Sequence, residues 1–262
     1  MGKLLAENYR RLFKGKRFYI VLAVIVGVAF LYALLFYFLN KLASRVNSGD
    51  LEGVEVEMSQ MKTYADSLLF GMKTDMPLLI GITAGMLIVQ DFRNNTIRNK
   101  IIIGHSRTNI YLSNLIVSET VMLIYELAYF VAVLLFGGII LGFKEFPSED
   151  ICINLLLTLP VQMAMTALIV FLCNTLKNVG GFVLAITMPY IVNIFSFALA
   201  FLNKHEKAQE LVREAIPSLQ MNIIIGSDGV PEHAVRMVIL MVAITIISTV
   251  GGILLFKKSD LK

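Results

Sequence analysis

The run from Phe18 to Leu39 reads FYIVLAVIVGVAFLYALLFYFL and contains no charged residue. A helix of this length, rising 1.5 Å per residue, crosses the hydrocarbon core of a bilayer, which is about 30 Å thick. The run is longer than the core of a signal peptide, about 7–15 residues, and no small-x-small cleavage site follows it. We therefore predict a retained transmembrane helix close to the N-terminus.

Five more apolar runs follow along the chain. They are Met76–Gln90, Leu112–Phe143, Ile151–Cys173, Val179–Leu202 and Ala234–Phe256. Of the 262 residues, 57% are hydrophobic and 16% are charged, and the mean hydropathy is +0.75. A soluble domain carries roughly 25% charged residues, so much of this surface must face lipid. The sequence predicts an all-α membrane protein with six transmembrane helices, forming a single domain over residues 1–262.

The second run, Met76–Gln90, is the shortest, and its helix must extend into the flanking residues to span the membrane. Pro77 suits the first turn of that helix better than its interior. Gly81 and Gly85 stand four residues apart, a spacing that permits a neighbouring helix to cross closely.

The basic residues are divided unevenly between the two sets of connections. Fourteen of the 23 Lys and Arg residues fall in the termini and in the connections after the second and fourth runs. Because basic residues concentrate on the cytoplasmic side, we predict that both termini are cytoplasmic and that segments 40–75 and 203–233 are extracellular. The net charge of +4 is mild, and no soluble domain concentrates it on one face, so we expect no nucleic-acid partner.

Residues 1–17 form a basic amphipathic segment. Its apolar contacts are expected to be Leu4, Leu5, Leu12 and Phe13. Such a segment lies in the plane of the membrane interface and is attracted to anionic lipid. We therefore predict an interfacial helix on the cytoplasmic side, with membrane lipid as a partner.

The connection between the second and third runs reads DFRNNTIRNKIIIGHSRTNIY over residues 91–111. Three isoleucines recur at helical spacing: Ile97, Ile101 and Ile102. Three basic residues are expected off that apolar face: Arg93, Arg98 and Lys100. Gly104 ends the helix, and Arg107 stands at the membrane edge. We predict a short helix along the inner membrane surface, and a plain interfacial anchor with snorkelling arginines is the alternative.

This connection resembles the coupling segment of type 2 ABC-exporter permeases. The likeness rests on the acidic Asp91 and on three short stretches: Asn95–Arg98, Gly104–Arg107 and Ile110–Leu112. It is greatest to the small six-span permeases of Gram-positive bacteria that export peptides or confer resistance to them. The family more often has Gly at the position of Asn95, and Asn also tolerates a left-handed turn.

The resemblance implies a permease subunit in the plasma membrane, powered by a separate ABC ATPase that binds ATP and magnesium. A second permease protomer, identical or related, completes the pathway. The sequence holds no Gly-x-x-x-x-Gly-Lys-Ser/Thr motif, so we expect no cofactor or catalytic site in this chain. The expected ATPase-coupling residues are Arg93, Thr96, Ile97, Arg98, Lys100, Ile101, Ile102, Gly104, His105, Ser106 and Arg107.

Three polar residues inside the runs are candidates for a substrate path: Glu119, Glu126 and Asn193. A carboxylate at mid-membrane costs about 2.5–3.5 kcal/mol on insertion scales, so it normally faces a partner or water. Glu119 and Glu126, seven residues apart, lie on nearly one helix face, which suits a site that binds a cationic substrate or relays protons. The structural alternative is that Glu119 pairs with a basic residue such as Arg107, while Glu126 forms a hydrogen bond with a neighbouring helix.

Two other classes of protein compete with the permease. A self-contained secondary transporter or channel could use Glu119 and Glu126 as its ion site, although the two related halves typical of such transporters are not evident. An intramembrane enzyme needs a motif such as Gly-x-Ser-x-Gly or His-Glu-x-x-His, and neither occurs. Cys152 and Cys173, at opposite ends of one run, are too far apart for a disulfide, and no metal site is expected.

Overall fold

A computed structural model describes residues 1–47, 63–196, 206–227 and 229–258, and every regular element within these ranges is helical. The helices are α1 Gly2–Lys14, α2 Lys16–Asn47, α3 Ala65–Leu68, α4 Met76–Arg93, α5 Thr96–Ile102, α6 Arg107–Ile140, α7 Glu149–Leu176, α8 Val179–Phe195, α9 Glu206–Ala215, α10 Pro217–Gly226 and α11 Ala234–Lys258. Two of them contain a wider π-helical turn, at Gly81–Gly85 in α4 and at Val133–Gly137 in α6.

Among the described residues, five helices are long and apolar enough to cross a membrane: α2 over Lys16–Ser44, α4, α6, α7 and α11. They correspond to five of the six predicted runs. The remaining predicted span, Val179–Leu202, begins as α8, whose 17 residues reach Phe195. A helix of that length extends about 26 Å, slightly short of the hydrocarbon core. Its predicted end, Leu202, lies outside the described residues. The structure therefore establishes five candidate spans and a shorter apolar helix.

The long helix α7 is central, since α6, α8, α10 and α11 all pack against it. On the other side of α6, the helices α2 and α4 pack against it and form an apolar cluster around Ile25, Ile80 and Tyr125. Another cluster, which we call the inner core cluster after the side predicted to be cytoplasmic, joins the ends of the spans near α5, and in it Ile97 and Phe256 are each 1% exposed. Between helices in a bilayer, close van der Waals packing rather than the exclusion of water favours association, so the fit of the side chains in these clusters determines how the helices are arranged.

Helices α4 and α8 approach closely at the predicted glycines. A Cβ atom on Gly81 would lie 2.4 Å from Cγ2 of Ile186, and one on Gly85 would lie 3.3 Å from Cδ2 of Phe182, both of them residues of α8. Only glycine leaves room for this crossing, so the prediction from the glycine spacing is confirmed. Pro77 stands in the first turn of α4, as its lack of a backbone N–H favours.

The N-terminal helix α1 is docked onto the protein. Its apolar side packs Leu4 and Leu12, each 1% exposed, and Asn8 is also buried against α6. Phe13, another of the predicted apolar contacts, is 42% exposed and does not pack into the protein as the two leucines do. Helix α1 continues into α2 through an extended turn at Gly15.

The described part of segment 40–75 caps the end of α6 that we predicted to be extracellular. The Asp66 carboxylate of α3 accepts hydrogen bonds from the backbone N–H groups of Lys144 and Phe146, each at 2.8 Å. Asn40 and Thr63 exchange two hydrogen bonds. Segment 203–233 contributes the helices α9 and α10, and α10 packs against α7 and α8. Residues 48–62, 197–205 and 228 lie outside the described ranges.

Candidate functional site

The connection between α4 and α6 contains the predicted short helix, α5. Asn95 precedes this helix with φ at 55°, the left-handed turn that its resemblance to a glycine position predicts. Gly104 follows it with φ at 100°, a conformation that favours glycine, so the predicted helix end is confirmed. Ser106 then begins α6 by accepting a hydrogen bond from the backbone N–H of Asn109 at 3.3 Å.

The two faces of α5 differ from the predicted ones. Ile97 is 1% exposed and packs in the inner core cluster, while Ile102 and Ile103 are 74% and 76% exposed. Lys100, which we expected at the surface, is 3% exposed on the same side as Ile97. The prediction that Ile97, Ile101 and Ile102 share one face, with Lys100 off it, is therefore wrong.

The remaining residues of the predicted coupling set lie within this helix or next to it in the chain. Exposed are Arg93, Arg98, Gly104 and Ser106, and half-buried are Thr96, Ile101, His105 and Arg107. Ile101 packs against the inner core cluster, whereas Arg93 and Arg98 point away from the core as predicted.

Lys100 turns inward because a buried carboxylate lies beneath it. The side chain of Asp91, which is 2% exposed, forms ion pairs with Lys100, at 3.0 Å from Nζ to Oδ2, and with Arg11 of α1. Lys100 Nζ also donates to Oδ1 of Asn8 at 3.0 Å. A lone buried charge costs several kcal/mol, whereas a pair with further hydrogen bonds offsets much of that penalty. Ion pairs and a hydrogen bond between buried side chains thus join α5, α1 and the end of α4.

The same contacts extend into two membrane spans. Asn8 Nδ2 donates to Oγ of Ser113 at 2.9 Å and to Oδ1 of Asn114 at 3.4 Å. Asn114 Nδ2 donates in turn to Oδ1 of Asn174 on α7, at 3.3 Å. We call Asn8, Arg11, Asp91, Lys100, Asn114 and Asn174 the inner polar network. The sequence analysis noted Asp91, as an acidic residue at the end of the second run, and Lys100, as a coupling residue, but it did not predict that the two form a pair. The signal it missed was the placement of asparagines in otherwise apolar helices.

Arg107 connects the start of α6 to the end of α11. Its Nη1 donates to the backbone carbonyl oxygens of Phe256 at 3.3 Å and of Lys257 at 2.7 Å. The structural alternative that paired Arg107 with Glu119 is wrong, because neither Glu119 carboxylate oxygen has a hydrogen-bond partner among the described residues. Both of these oxygens are nevertheless buried.

Glu126 has a cationic partner that the sequence did not suggest. It forms an ion pair with Lys73, and the two side chains are 5% and 6% exposed. Lys73 precedes α4 in the segment that we assigned to the extracellular side, and its carbonyl oxygen accepts a hydrogen bond from Gln162 at 2.6 Å. The pair therefore joins α6 to α4, and the hydrogen bond adds α7.

The third substrate-path candidate, Asn193, has a separate contact. Its Oδ1 accepts from Nδ2 of Asn222 on α10 at 3.2 Å. The described contacts of Glu119, Glu126 and Asn193 do not connect the three residues to one another.

One group of potential metal ligands occurs in the described residues: Glu210, Glu214 and His233, whose ligand atoms lie within 4.8 Å of one another. Arg236 already binds both carboxylates, donating to Glu214 at 2.5 and 2.6 Å and to Glu210 at 2.9 Å. These contacts make the group an ion-pair cluster that fixes α9 to the start of α11. The described residues give no reason to place a metal there.

Comparison with known proteins identifies the class. The five long apolar helices are those of a multi-pass membrane protein. A family model described as ABC-2 family transporter protein matches residues 12–197, from the end of α1 to the end of α8. The match covers more than half of the chain and includes α5, so the chain belongs to the ABC-2 transporter family. This family provides the membrane component of a transporter, is not itself catalytic and typically works with an ABC ATPase. A comparison with curated proteins found no match.

Proposed function

We propose that this chain is the permease subunit of an ATP-driven exporter in the plasma membrane. Its substrate is a peptide, antimicrobial or toxin-like, or another amphipathic molecule, as in the small six-span peptide-export permeases. A separate ABC ATPase supplies the energy, and two permease protomers, identical or related, form the pathway between them. Both termini and α5 face the cytoplasm in this arrangement.

The observation that carries the proposal is the exposed apolar pair at the end of α5. Ile102 and Ile103 are three-quarters exposed and lie beside the exposed polar residues Arg98 and Asn99. Covering an isoleucine side chain contributes roughly 1.5–3 kcal/mol, so the pair favours a partner that encloses it. A cleft in an ATPase subunit fits this requirement, and the basic residue beside the pair adds electrostatic specificity.

The buried side of α5 supports a mechanical role. Ile97 and Lys100 fix the helix to the inner polar network, which includes residues of α1, α4, α6 and α7. A push on Ile102 and Ile103 by a closing ATPase therefore reaches two spans, α4 and α6, through direct contacts. Coupling over a distance needs such a contiguous set of packed and hydrogen-bonded groups.

The experiment compares Ile102→Asp/Ile103→Asp with Asn99→Asp in the full chain expressed with its ATPase. The double variant removes roughly 3 kcal/mol or more of apolar contact, so co-purification of the ATPase should fall at least tenfold while membrane insertion is normal. Asn99→Asp adds a charge to the same helix without removing the apolar pair, and it should retain binding. Normal co-purification and transport in the double variant would show that the pair only rests on lipid, as the interfacial-anchor alternative holds.

For the substrate path, we propose that Glu119 binds a cationic group of the substrate. Its two buried oxygens lack a partner among the described residues, whereas Glu126 is already paired with Lys73. A carboxylate within a span gains most from a cation that arrives there, and a cationic peptide supplies one. Asn193, on α8, stays a candidate for a neutral polar contact with the substrate. The alternative function, an ion-coupled transporter or channel, is less favoured because Lys73 neutralises one of its two carboxylates.

A further inference from the structure

A basic cavity of about 540 Å³ lies where α1 turns into α2 beside the inner half of α4. We propose that it binds the headgroup of an anionic phospholipid from the inner leaflet. The cationic residues that line it are Arg10, Arg11, Lys14, Lys16 and Arg17. We call this space the elbow cavity. Its volume lies in the range of pockets for small molecules, about 300–1,000 Å³.

The charge of the elbow cavity is largely unbalanced. Arg11 is neutralised by Asp91, but the four other basic side chains have no carboxylate within 4 Å in the part of the chain that the structure describes. Four cations around one space favour an anion, and a phosphodiester presents two acceptor oxygens to them. The elbow cavity therefore selects for a phosphate-bearing ligand.

The turn at Gly15 brings these cations together. A Cβ atom there would lie 3.2 Å from the carbonyl oxygens of both Arg11 and Leu12, closer than a side chain normally tolerates. Glycine thus allows the chain to bend directly after α1, which places Lys14 and Lys16 on either side of the bend. The geometry of the elbow cavity is built into the backbone.

The depth of the cavity indicates a lipid rather than a soluble anion or protein. Thr83 and Leu87 line it, and both belong to the span α4, several residues from the inner end of that helix. Phe18, at the start of the span α2, also contributes an apolar wall. A phospholipid supplies a phosphate at the surface and acyl chain at that depth in one molecule, whereas a soluble protein reaches only the surface.

The position of the cavity also gives the lipid a route to the transport machinery. Arg11 lines the elbow cavity and is at the same time a partner of Asp91 in the inner polar network. An anionic headgroup that binds there therefore contacts the network that holds α5. The binding itself does not depend on the proposed export function, so the two can fail separately.

The test measures phosphatidylglycerol retained by the purified full-length chain, by native mass spectrometry, after release from phosphatidylcholine nanodiscs containing roughly one-third phosphatidylglycerol. The triple variant Arg10→Gln/Lys14→Gln/Arg17→Gln should retain at least tenfold less phosphatidylglycerol than the unmodified chain. The matched control Lys3→Gln/Lys257→Gln/Lys258→Gln removes three exposed basic residues elsewhere and should change retention less than twofold. Leu87→Trp fills the floor without changing the charge, and it should also lower retention.

Two other measurements separate the possible ligands. Glycerol 3-phosphate, which carries the phosphate without acyl chains, should fail to compete with phosphatidylglycerol at equal concentration. Equal competition would make this a site for soluble phosphates and overturn the lipid assignment. Equal loss in both triple variants would reduce the effect to general surface charge. Normal lipid retention in the cavity variant, with loss of ATPase co-purification, would make the basic surface a protein-docking site instead.

Discussion

The buried ion pair between Lys73 and Glu126 offers the sharpest test of how the spans are held together. Each residue will be replaced by an apolar residue of similar length, in Lys73→Met and Glu126→Leu, and then both together. Each side chain is about 95% buried, so a single substitution strands the opposite charge in the core. The double substitution removes both charges and strands none.

The magnitude follows from the burial of the two groups. Breaking a buried pair by removing one partner costs roughly 3–5 kcal/mol, whereas replacing both partners with apolar residues is neutral or stabilising. At roughly 2–4 °C per kcal/mol for a chain of this size, each single variant should lower Tm by about 6–20 °C. The double variant should return to within a few degrees of the unmodified chain.

Thermal unfolding can be followed through the buried thiol of Cys173, which has no exposed surface. In a Cys152→Ser background, a thiol-reactive fluorophore reports the unfolding of α7 alone. Glu119→Leu is the matched control, because it removes a carboxylate without a described partner and should leave Tm unchanged or raise it. Single variants with an unchanged Tm, or a double variant as unstable as the sum of the singles, would refute the pairing.

Three further predictions follow from the same contacts. Glu119→Gln should reduce export of a cationic peptide at least tenfold with Tm unchanged, measured in proteoliposomes with the ATPase, and equal loss for a neutral peptide would contradict a charge contact. Asp91→Asn should leave ATPase binding intact but lower transport per ATP hydrolysed, because Lys100 and Arg11 lose their shared partner. The control is Glu7→Gln, because Glu7 also pairs with Lys100 but is exposed. In whole cells, a membrane-impermeant thiol reagent should label Ser227→Cys and spare Ser106→Cys in a cysteine-free background, and the opposite pattern would reverse the topology.

The helices were predictable because the energetics of the bilayer act on each run separately. A stretch of about 20 apolar residues predicts a span whatever the position of the other helices. Five of the six runs are long apolar helices in the structure. Local backbone conformation was equally predictable, since Asn95 and Gly104 both adopt the left-handed conformations that their residue types favour. Glycine spacing predicted the crossing of α4 with its neighbour for the same local reason.

Contacts between distant segments were not predictable in this way. The sequence identified Glu126 as costly in a span but not its partner, because Lys73 lies 53 residues away in a segment counted as extracellular. A count of basic residues per connection treats each one as solvated, so it cannot assign a lysine to the core. For the same reason the sequence did not predict the ion pair between Arg11 and Asp91, because Arg11 was counted as a surface cation.

The structure of α5 shows that the need to pair a buried charge, rather than the spacing of apolar residues, determines which face of a short helix packs against the protein. Apolar spacing predicts that Ile97, Ile101 and Ile102 share one face. A carboxylate at the end of an apolar span requires a cation, however, and in the structure Lys100 of α5 supplies it to Asp91. Residues three apart share a helix side, so turning Lys100 towards Asp91 also buries Ile97 and leaves Ile102 exposed. Substitution of Ile97 by Asp should therefore unfold the inner cluster, where the side chain is 1% exposed, before it can report on a partner. Asp at Ile102 and Ile103 tests the docking surface without that damage.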